Sequence, residues 1–255
     1  MSEHSSRAIE RGADPFRPAV EVYLLGSIAY EACLTLQHRL VYEASGRRDG
    51  QISILICEHP AEITVGRQGS WANVRYERNE LARRQLRVRW ISRGGGCIYH
   101  MPGQLAVYPI VPLAWHELTV GEYLSRFQDA LLATLLEQNY QGETRPARHG
   151  IWDRNGQLVN FGISTKNWIT HHGAFINVDP QLHALRMVQS DPWEQTPQSS
   201  LAAQRRQPIK MARIREGLVR HLTQALGCGR YHLYTGHPLL PYHHAKNQRL
   251  SARAG

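Results

Sequence analysis

The sequence predicts a single α/β domain with mixed or antiparallel sheets flanked by helices. Three observations carry that prediction. Short runs rich in β-branched and aromatic residues recur along the chain, punctuated by Gly, Pro and Asn. Between them, around residues 28–44, 119–138 and 209–226, apolar side chains repeat at helical spacing. The 255 residues are 42% apolar, enough for one large core, and no internal repeat or linker divides them.

Taken in order, residues 1–18 are polar and charged, contain Pro15 and Pro18, and read as a flexible tail. Residues 20–25 form a strand, after which Ser27 is placed to cap a helix carrying Ile28, Ala32, Cys33, Leu36, Leu40 and Ala44 on one face. Residues 52–57 and 63–65 are strands, the first ended by His59-Pro60 and the second by Gly66-Arg67. A short charged helix over 77–85 leads into a strand over 86–92, and residues 104–111 return as another strand. Thr119 with Glu122 three positions on is a capping box, opening a helix with Val120, Leu124, Phe127, Leu131 and Leu135 facing inward. Asn155-Gly156 is a hairpin-turn dipeptide between 150–152 and 157–164, and a further strand follows over 168–178. Residues 188–197 read as a loop, 209–226 as an amphipathic helix stopped by Gly227, and 237–255 as a basic, loosely held tail. The folded domain is therefore expected over residues 19–236.

The balance of 30 Lys and Arg against 21 Asp and Glu favours an acidic partner. No helix-turn-helix, zinc-finger or RNP pattern accompanies the charge, so nucleic acid is not the expected one. No apolar run approaches a membrane span and the N-terminus lacks the apolar core of a secretory signal, so a cytoplasmic protein with no membrane association is expected. Cys33, Cys57, Cys97 and Cys228 lie far apart without a C-x-x-C pair, and the His171-His172 pair has no Cys or carboxylate at ligand spacing. Reduced thiols, no metal and no bound cofactor are the expectation.

Residues 90–113, WISRGGGCIYHMPGQLAVYPIVPL, are where ligand chemistry concentrates. Gly94, Gly95 and Gly96 let backbone approach a ligand, while Arg93, Tyr99 and His100 can supply polar groups around the same cavity. Composition alone fits a structural β-turn with a structural Arg and His equally well.

The stretch resembles the signature of the octanoyltransferase family (the lipoate–protein ligase B type), R-G-G-x-x-T-Y-H-G-P-G-Q-L followed by x-x-Y-P-I. Arg93, Gly94, Gly95, Tyr99, His100, Pro102, Gly103, Gln104, Leu105, Tyr108, Pro109 and Ile110 match it, with Ile98 for the threonine and Met101 for a glycine. Elsewhere Glu58-His59-Pro60, Val65-Gly66-Arg67, Gly150-Ile151-Trp152, Gly162, the run from His172 to Val178, and Ser199-Ser200-Leu201 stand where the family has E-H-P, L-G-R, G-V-W, A-x-G, H-G-x-A-x-N-V and T-S-L. The resemblance implies a fold similar to the catalytic domain of octanoyltransferases and biotin or lipoate ligases. It also implies transfer of an octanoyl group from acyl carrier protein to a lysine of a lipoyl domain, that of a 2-oxoacid dehydrogenase or the glycine cleavage H protein. The acyl pocket it implies comprises Arg93, Gly94, Gly95, Gly96, Cys97, Ile98, Tyr99 and His100, then Asn160, Phe161 and Gly162, then Gly173, Ala174 and Phe175.

In that family a cysteine of a P-C-G motif is the nucleophile and a lysine opening the A-x-G strand activates it. Counting from Asn177-Val178 and from Gly162, those positions are Asp191 and Gln157 here. Three readings follow. One is an acyltransferase with another arrangement: Cys97 as substitute nucleophile with His100 as base and Arg93 or backbone amides holding the oxyanion, or direct transfer by proximity with Asp191 orienting the amine. In the first form Cys97 has an equally simple alternative, as a small apolar filler. The second reading is a degenerate family member that binds an octanoyl or lipoyl group, or a carrier protein, without turnover. The third is a basic protein whose partner is nucleic acid.

Overall fold

The computed structural model describes residues 19–47, 49–190, 196–205 and 209–240. In chain order these hold β1 (Val20–Ser27), α1 (Tyr30–Gly46), β2 (Ser53–Glu58), β3 (Glu62–Val65), α2 (Arg78–Arg83), β4 (Arg87–Trp90), β5 (Cys97–His100) and β6 (Gln104–Ile110). There follow α3 (Val120–Glu137), β7 (Glu143–Arg145), β8 (Arg148–Asp153), β9 (Gly156–Lys166), β10 (Ile169–Asn177), α4 (Leu182–Leu185), α5 (Leu201–Gln204), α6 (Met211–Ala225) and β11 (Tyr231–Thr235). One sheet runs β11-β1-β2-β6-β10-β9-β8-β7 and a smaller one β4-β3-β5. Parallel pairs (β1 with β11 and β2, β3 with β4) join antiparallel ones, so both sheets are mixed, as the sequence predicts.

Period-two alternation decides which core each strand residue enters. Ile54 and Ile56 of β2 and Leu105 and Val107 of β6 pack on the face covered by α3 and α6. Their neighbours Leu55 and Cys57, and Ala106, Tyr108 and Ile110, pack on the opposite face with Cys33, Leu36, Leu40 and Val41 of α1. Each large aliphatic side chain so enclosed contributes about 1.5–3 kcal/mol. A third core joins Ile63, Val65, Cys97 and Tyr99 of the small sheet to Leu81 and to Ala184 and Leu185. No helix among the described residues is long and apolar enough to cross a membrane.

The expected elements recur with local differences. The capping box at Thr119 forms, with Glu122 N donating to Thr119 Oγ1 at 3.2 Å and Thr119 N donating to Glu122 Oε2 at 2.8 Å. Gly227, at φ +73°, follows α6 as expected. Ser27, in contrast, caps nothing: pairing with β2 continues to Ser27↔Glu58, and α1 starts at Tyr30 behind Ala29. The strands β5 and β11 are not foreseen by periodicity. β5 is four residues buried on both faces, and β11 is exposed along its whole length at the sheet edge, so neither alternates. His237 packs its ring 4.4 Å from that of Tyr23, and residues 1–18 and 241–255, read as tails, lie outside the described residues.

Candidate functional site

The glycine loop is held on three sides by backbone hydrogen bonds. Arg67 N and Gln68 N donate to Arg93 O and Gly95 O at 3.0 and 3.2 Å, Gly94 N donates to Ile163 O of β9 at 2.9 Å, and Gly96 N donates to Ser190 O at 3.2 Å. Gly95 sits at φ +80°, and a Cβ there would lie 3.1 Å from Phe161 O, so this position requires glycine. Against the loop lies a cavity of 510 Å³, of the size that holds small-molecule ligands. Val120 and Leu124 of α3, Trp152, Phe161 and Ile163 give it apolar walls. Gln157, Asn160 and Ser190 form its polar part, and the exposed Arg67 and His149 are among its rim residues.

Of the residues predicted for the pocket, the three glycines, Ile98, Asn160, Phe161 and Gly162 line this cavity, as does Gln157. Arg93, Cys97, Tyr99 and His100 do not; nor do Gly173, Ala174 and Phe175, which lie within β10. Arg93 is wholly enclosed behind the loop, donating to Thr64 O and Oγ1 at 3.1 and 2.9 Å and to Gly94 O at 2.9 Å. It therefore braces the loop against β3 rather than reaching a ligand. Cys97 and His100, three apart on β5, point to opposite faces. The Cys97 thiol is enclosed in the third core and donates to Ser70 O at 3.5 Å, and burial pushes its pKa up, opposed by Arg93. The structure does not bring Cys97 and His100 together as nucleophile and base. Asp191 lies outside the described residues.

One hydrogen-bonded chain runs from the loop brace to the cavity. Arg93 donates to Thr64 Oγ1, which is 2.8 Å from His100 Nε2; His100 Nδ1 is 3.2 Å from Gln104 Oε1. Gln104 Nε2 donates to Asn177 Oδ1 at 2.9 Å, and Asn177 Nδ2 donates to Gln198 Oε1 at 3.1 Å. Gln198 Nε2 then donates to Ser190 Oγ at 2.7 Å and Gln157 Oε1 at 3.4 Å, while its Oε1 also accepts from Asn160 Nδ2 at 2.9 Å. Every donor finds an acceptor only if His100 is neutral with its proton on Nδ1. Burial agrees, holding its pKa well below the ordinary histidine value, with His59 and Arg93 adding to the effect. Gln198 is the hub that sequence reasoning missed. It lies in a polar loop stretch directly before Ser199-Ser200-Leu201, the counterpart of the family's T-S-L, but has no periodicity or motif of its own.

A second histidine group lies behind the site. His172, at φ +58°, is fully buried with neither ring nitrogen hydrogen-bonded. Burial, then His171, Arg93, His38 of α1 and Arg67, hold its pKa down to about 2; burial, His38 and Lys166 of β9 hold that of His171 at about 4. Both titrate near 6.5 when unfolded, so above that pH their protonation adds no dependence of stability on pH. As pH falls from about 6.5 towards 4 the unfolded chain binds the protons first and stability declines. His172→Asn, which accepts the positive φ, is expected to flatten that decline by up to one proton in the slope of unfolding free energy against pH. Denaturant titrations at pH 7.5, 6 and 5 read it, and an unchanged slope would remove His172 as a source.

Residues 29–225 match the family described as the lipoyl protein ligase A/B catalytic domain. An octanoyltransferase of Chloroflexus aurantiacus (strain ATCC 29366 / DSM 635 / J-10-fl) is 33% identical over 201 residues, covering 78% of this chain and 90% of that protein. Another, of Roseiflexus sp. (strain RS-1), is 30% identical over 206 residues, covering 79% and 85%. Among solved structures, lipoate-protein ligase A bound with ATP is similar with a TM-score of 0.69 at 12% identity, over 86% of this chain and 89% of that one. A bi-partite lipoate protein ligase from Thermoplasma acidophilum is similar with a TM-score of 0.68 at 12% identity, over 86% and 88%. At these identities the structural likeness is one of fold.

Proposed function

Because the chain belongs to the octanoyltransferases of the lipoyl protein ligase A/B catalytic-domain family, we propose that it moves an octanoyl group from acyl carrier protein to a lysine of a lipoyl carrier domain. By that membership it is an acyltransferase. Its acceptors are the lipoyl domains of 2-oxoacid dehydrogenases or the glycine cleavage H protein, and it works beside them in the cytoplasm.

One observation carries the mechanism: among the described residues no cysteine lines the cavity, whose apolar walls meet the buried amide of Asn160 with its Oδ1 unpartnered. That favours direct transfer. The acyl chain lies along Leu124, Val120 and Phe161, and Asn160 Oδ1 accepts an N–H of the incoming lysine amine. The amine attacks the thioester carbon, a C–N bond forms, the C–S bond breaks, and the carrier's thiol leaves with the proton that the amine gives up. Holding both reactants in place supplies the rate. Asp191, which follows Ser190 of the cavity in sequence, orients or deprotonates the amine. A binding protein without turnover is the competing reading, favoured by Gln157 standing where the family has its lysine.

Intact-mass time courses on octanoyl acyl carrier protein, an unmodified lipoyl domain and this protein test the proposal. An octanoyl increment on the lipoyl domain is expected, with none on the enzyme at any time. Asp191→Ala is expected to slow it about 100-fold. A transient enzyme increment that vanishes in Cys97→Ser would instead establish a covalent path. No change on the lipoyl domain, with the acyl carrier still bound, would leave the binding reading in place.

A further inference from the structure

Cys33, Cys57 and His59 are far from suggestive in sequence, yet the fold collects them. Cys33 faces inward from α1, Cys57 lies near the end of β2 and His59 just beyond it, with 0%, 2% and 2% of their surfaces exposed. The two sulfurs are 3.9 Å apart, Cys57 Sγ is 3.6 Å from His59 Nε2, and all three ligating atoms lie within 4.8 Å of one another. A tetrahedral zinc ion, with bonds of about 2.3 Å to sulfur and 2.0 Å to nitrogen, sets sulfurs about 3.8 Å apart and sulfur about 3.5 Å from nitrogen. Two of the three edges already have that length.

Hydrogen bonds from the surroundings fix the His59 ring and one side of Cys33. His59 Nδ1 lies 2.7 Å from Ile28 O, a bond it can make only by donating, which makes Nε2 the acceptor nitrogen, 2.7 Å from the Tyr108 hydroxyl and 3.6 Å from Cys57 Sγ. A backbone carbonyl on the other ring nitrogen is the usual outer partner of a metal-bound histidine. Gln37 Oε1 accepts from His172 N at 2.8 Å, so its amide nitrogen is the end turned to Cys33 Sγ, at 3.7 Å. An N–H aimed at sulfur stabilises a thiolate. The Tyr108 hydroxyl donates to His59 Nε2 at 2.7 Å, so an ion taking the Nε2 lone pair replaces this hydrogen bond and finds the phenol oxygen beside it.

We propose that Cys33, Cys57 and His59 bind one zinc ion, with the Tyr108 oxygen completing the shell, as a closed structural site that ties α1 to β2 and β6. Two thiol protons leave to solvent as the ion enters, and two thiolates then neutralise its charge inside an apolar core. The ion sits behind the catalytic domain's pocket, since the His59 ring lies 5.7 Å from that of His100. The proposal does not depend on the acyl-transfer reading.

The test refolds the reduced, full-length chain with zinc, removes free metal and measures bound zinc by plasma mass spectrometry, with cobalt(II) replacing zinc in a parallel sample. Roughly one zinc per chain is expected, together with the near-ultraviolet thiolate-to-cobalt absorption of two sulfur ligands. Cys33→Ser and Cys57→Ser are each expected to lose at least about nine-tenths of the metal, while Cys228→Ser keeps it. Folded, unmutated chain without the cobalt absorption overturns the site whatever the variants do. So does zinc retained by Cys57→Ser, or a Cys33–Cys57 disulfide in protein purified without oxidant.

Discussion

Gln198→Leu is expected to cost about 2–4 kcal/mol of stability, because it strands the buried donor Asn160 Nδ2, leaves Asn177 Nδ2 only its 3.4 Å bond to Gln157 O, and removes the donor that Ser190 Oγ receives. Leucine has the volume but none of the hydrogen-bonding groups. The loss reaches the cavity, since Asn160, Gln157 and Ser190 all line it and all hydrogen-bond to Gln198. A displacement of about 1 Å there is expected to lower kcat/KM for octanoyl transfer on the order of 100-fold. Gln198→Glu keeps an oxygen for both asparagines and loses only the donor side, so it should recover part of the stability. Urea titration and transfer rates measured on the three proteins check this. A leucine variant within 1 kcal/mol of the parent, on the order of ordinary surface substitutions, would mean the network does not hold the site.

Gly173→Ala is expected to be the most damaging single methyl in the chain's centre. A Cβ at Gly173 would lie 1.9 Å from Val107 O and 2.9 Å from Val107 C, both backbone atoms of the neighbouring strand β6. No rotamer relieves a clash with backbone, so β6 and β10 must part, and the pairs Ala174↔Val107 and Phe175↔Ala106 go with them. About 4 kcal/mol or more is the expected loss, seen as a collapse of soluble yield or a steep fall in denaturation midpoint. Gly121→Ala is the contrasting control: its Cβ meets nothing within 4 Å on the exposed first turn of α3. If Gly173→Ala unfolds no more readily than that control, the close approach of the strands is not rigid.

Local pattern made much of this legible. The Thr119 capping box, the Asn155-Gly156 hairpin and the helical spacing of Leu218 and Leu222 all work within a few residues, and each forms where the sequence places it, although Ala212, read on the same inner face, is exposed. The glycine loop is readable because the residues around it match the octanoyltransferase signature at fixed spacing, whereas the three glycines alone fit a structural turn equally well. What pattern could not reach was the direction each side chain takes around the loop. Arg93 reads as a ligand-facing cation, yet it turns inward to Thr64, 29 residues earlier. Gln198 has no local signature at all, because its four partners come from a loop and two strands 8 to 41 residues away.

The sequence by itself determined the family, the fold class and the place of the glycine loop along the chain. These follow from residue identities at fixed spacings along the chain. Only the tertiary structure decided that Cys97 and His100 face apart, that Gln198 links Asn160 to Gln157, and that Cys33 meets Cys57 and His59. Such relations depend on which face of a strand or helix a residue occupies and on what packs against it, and spacing along the chain does not carry that information.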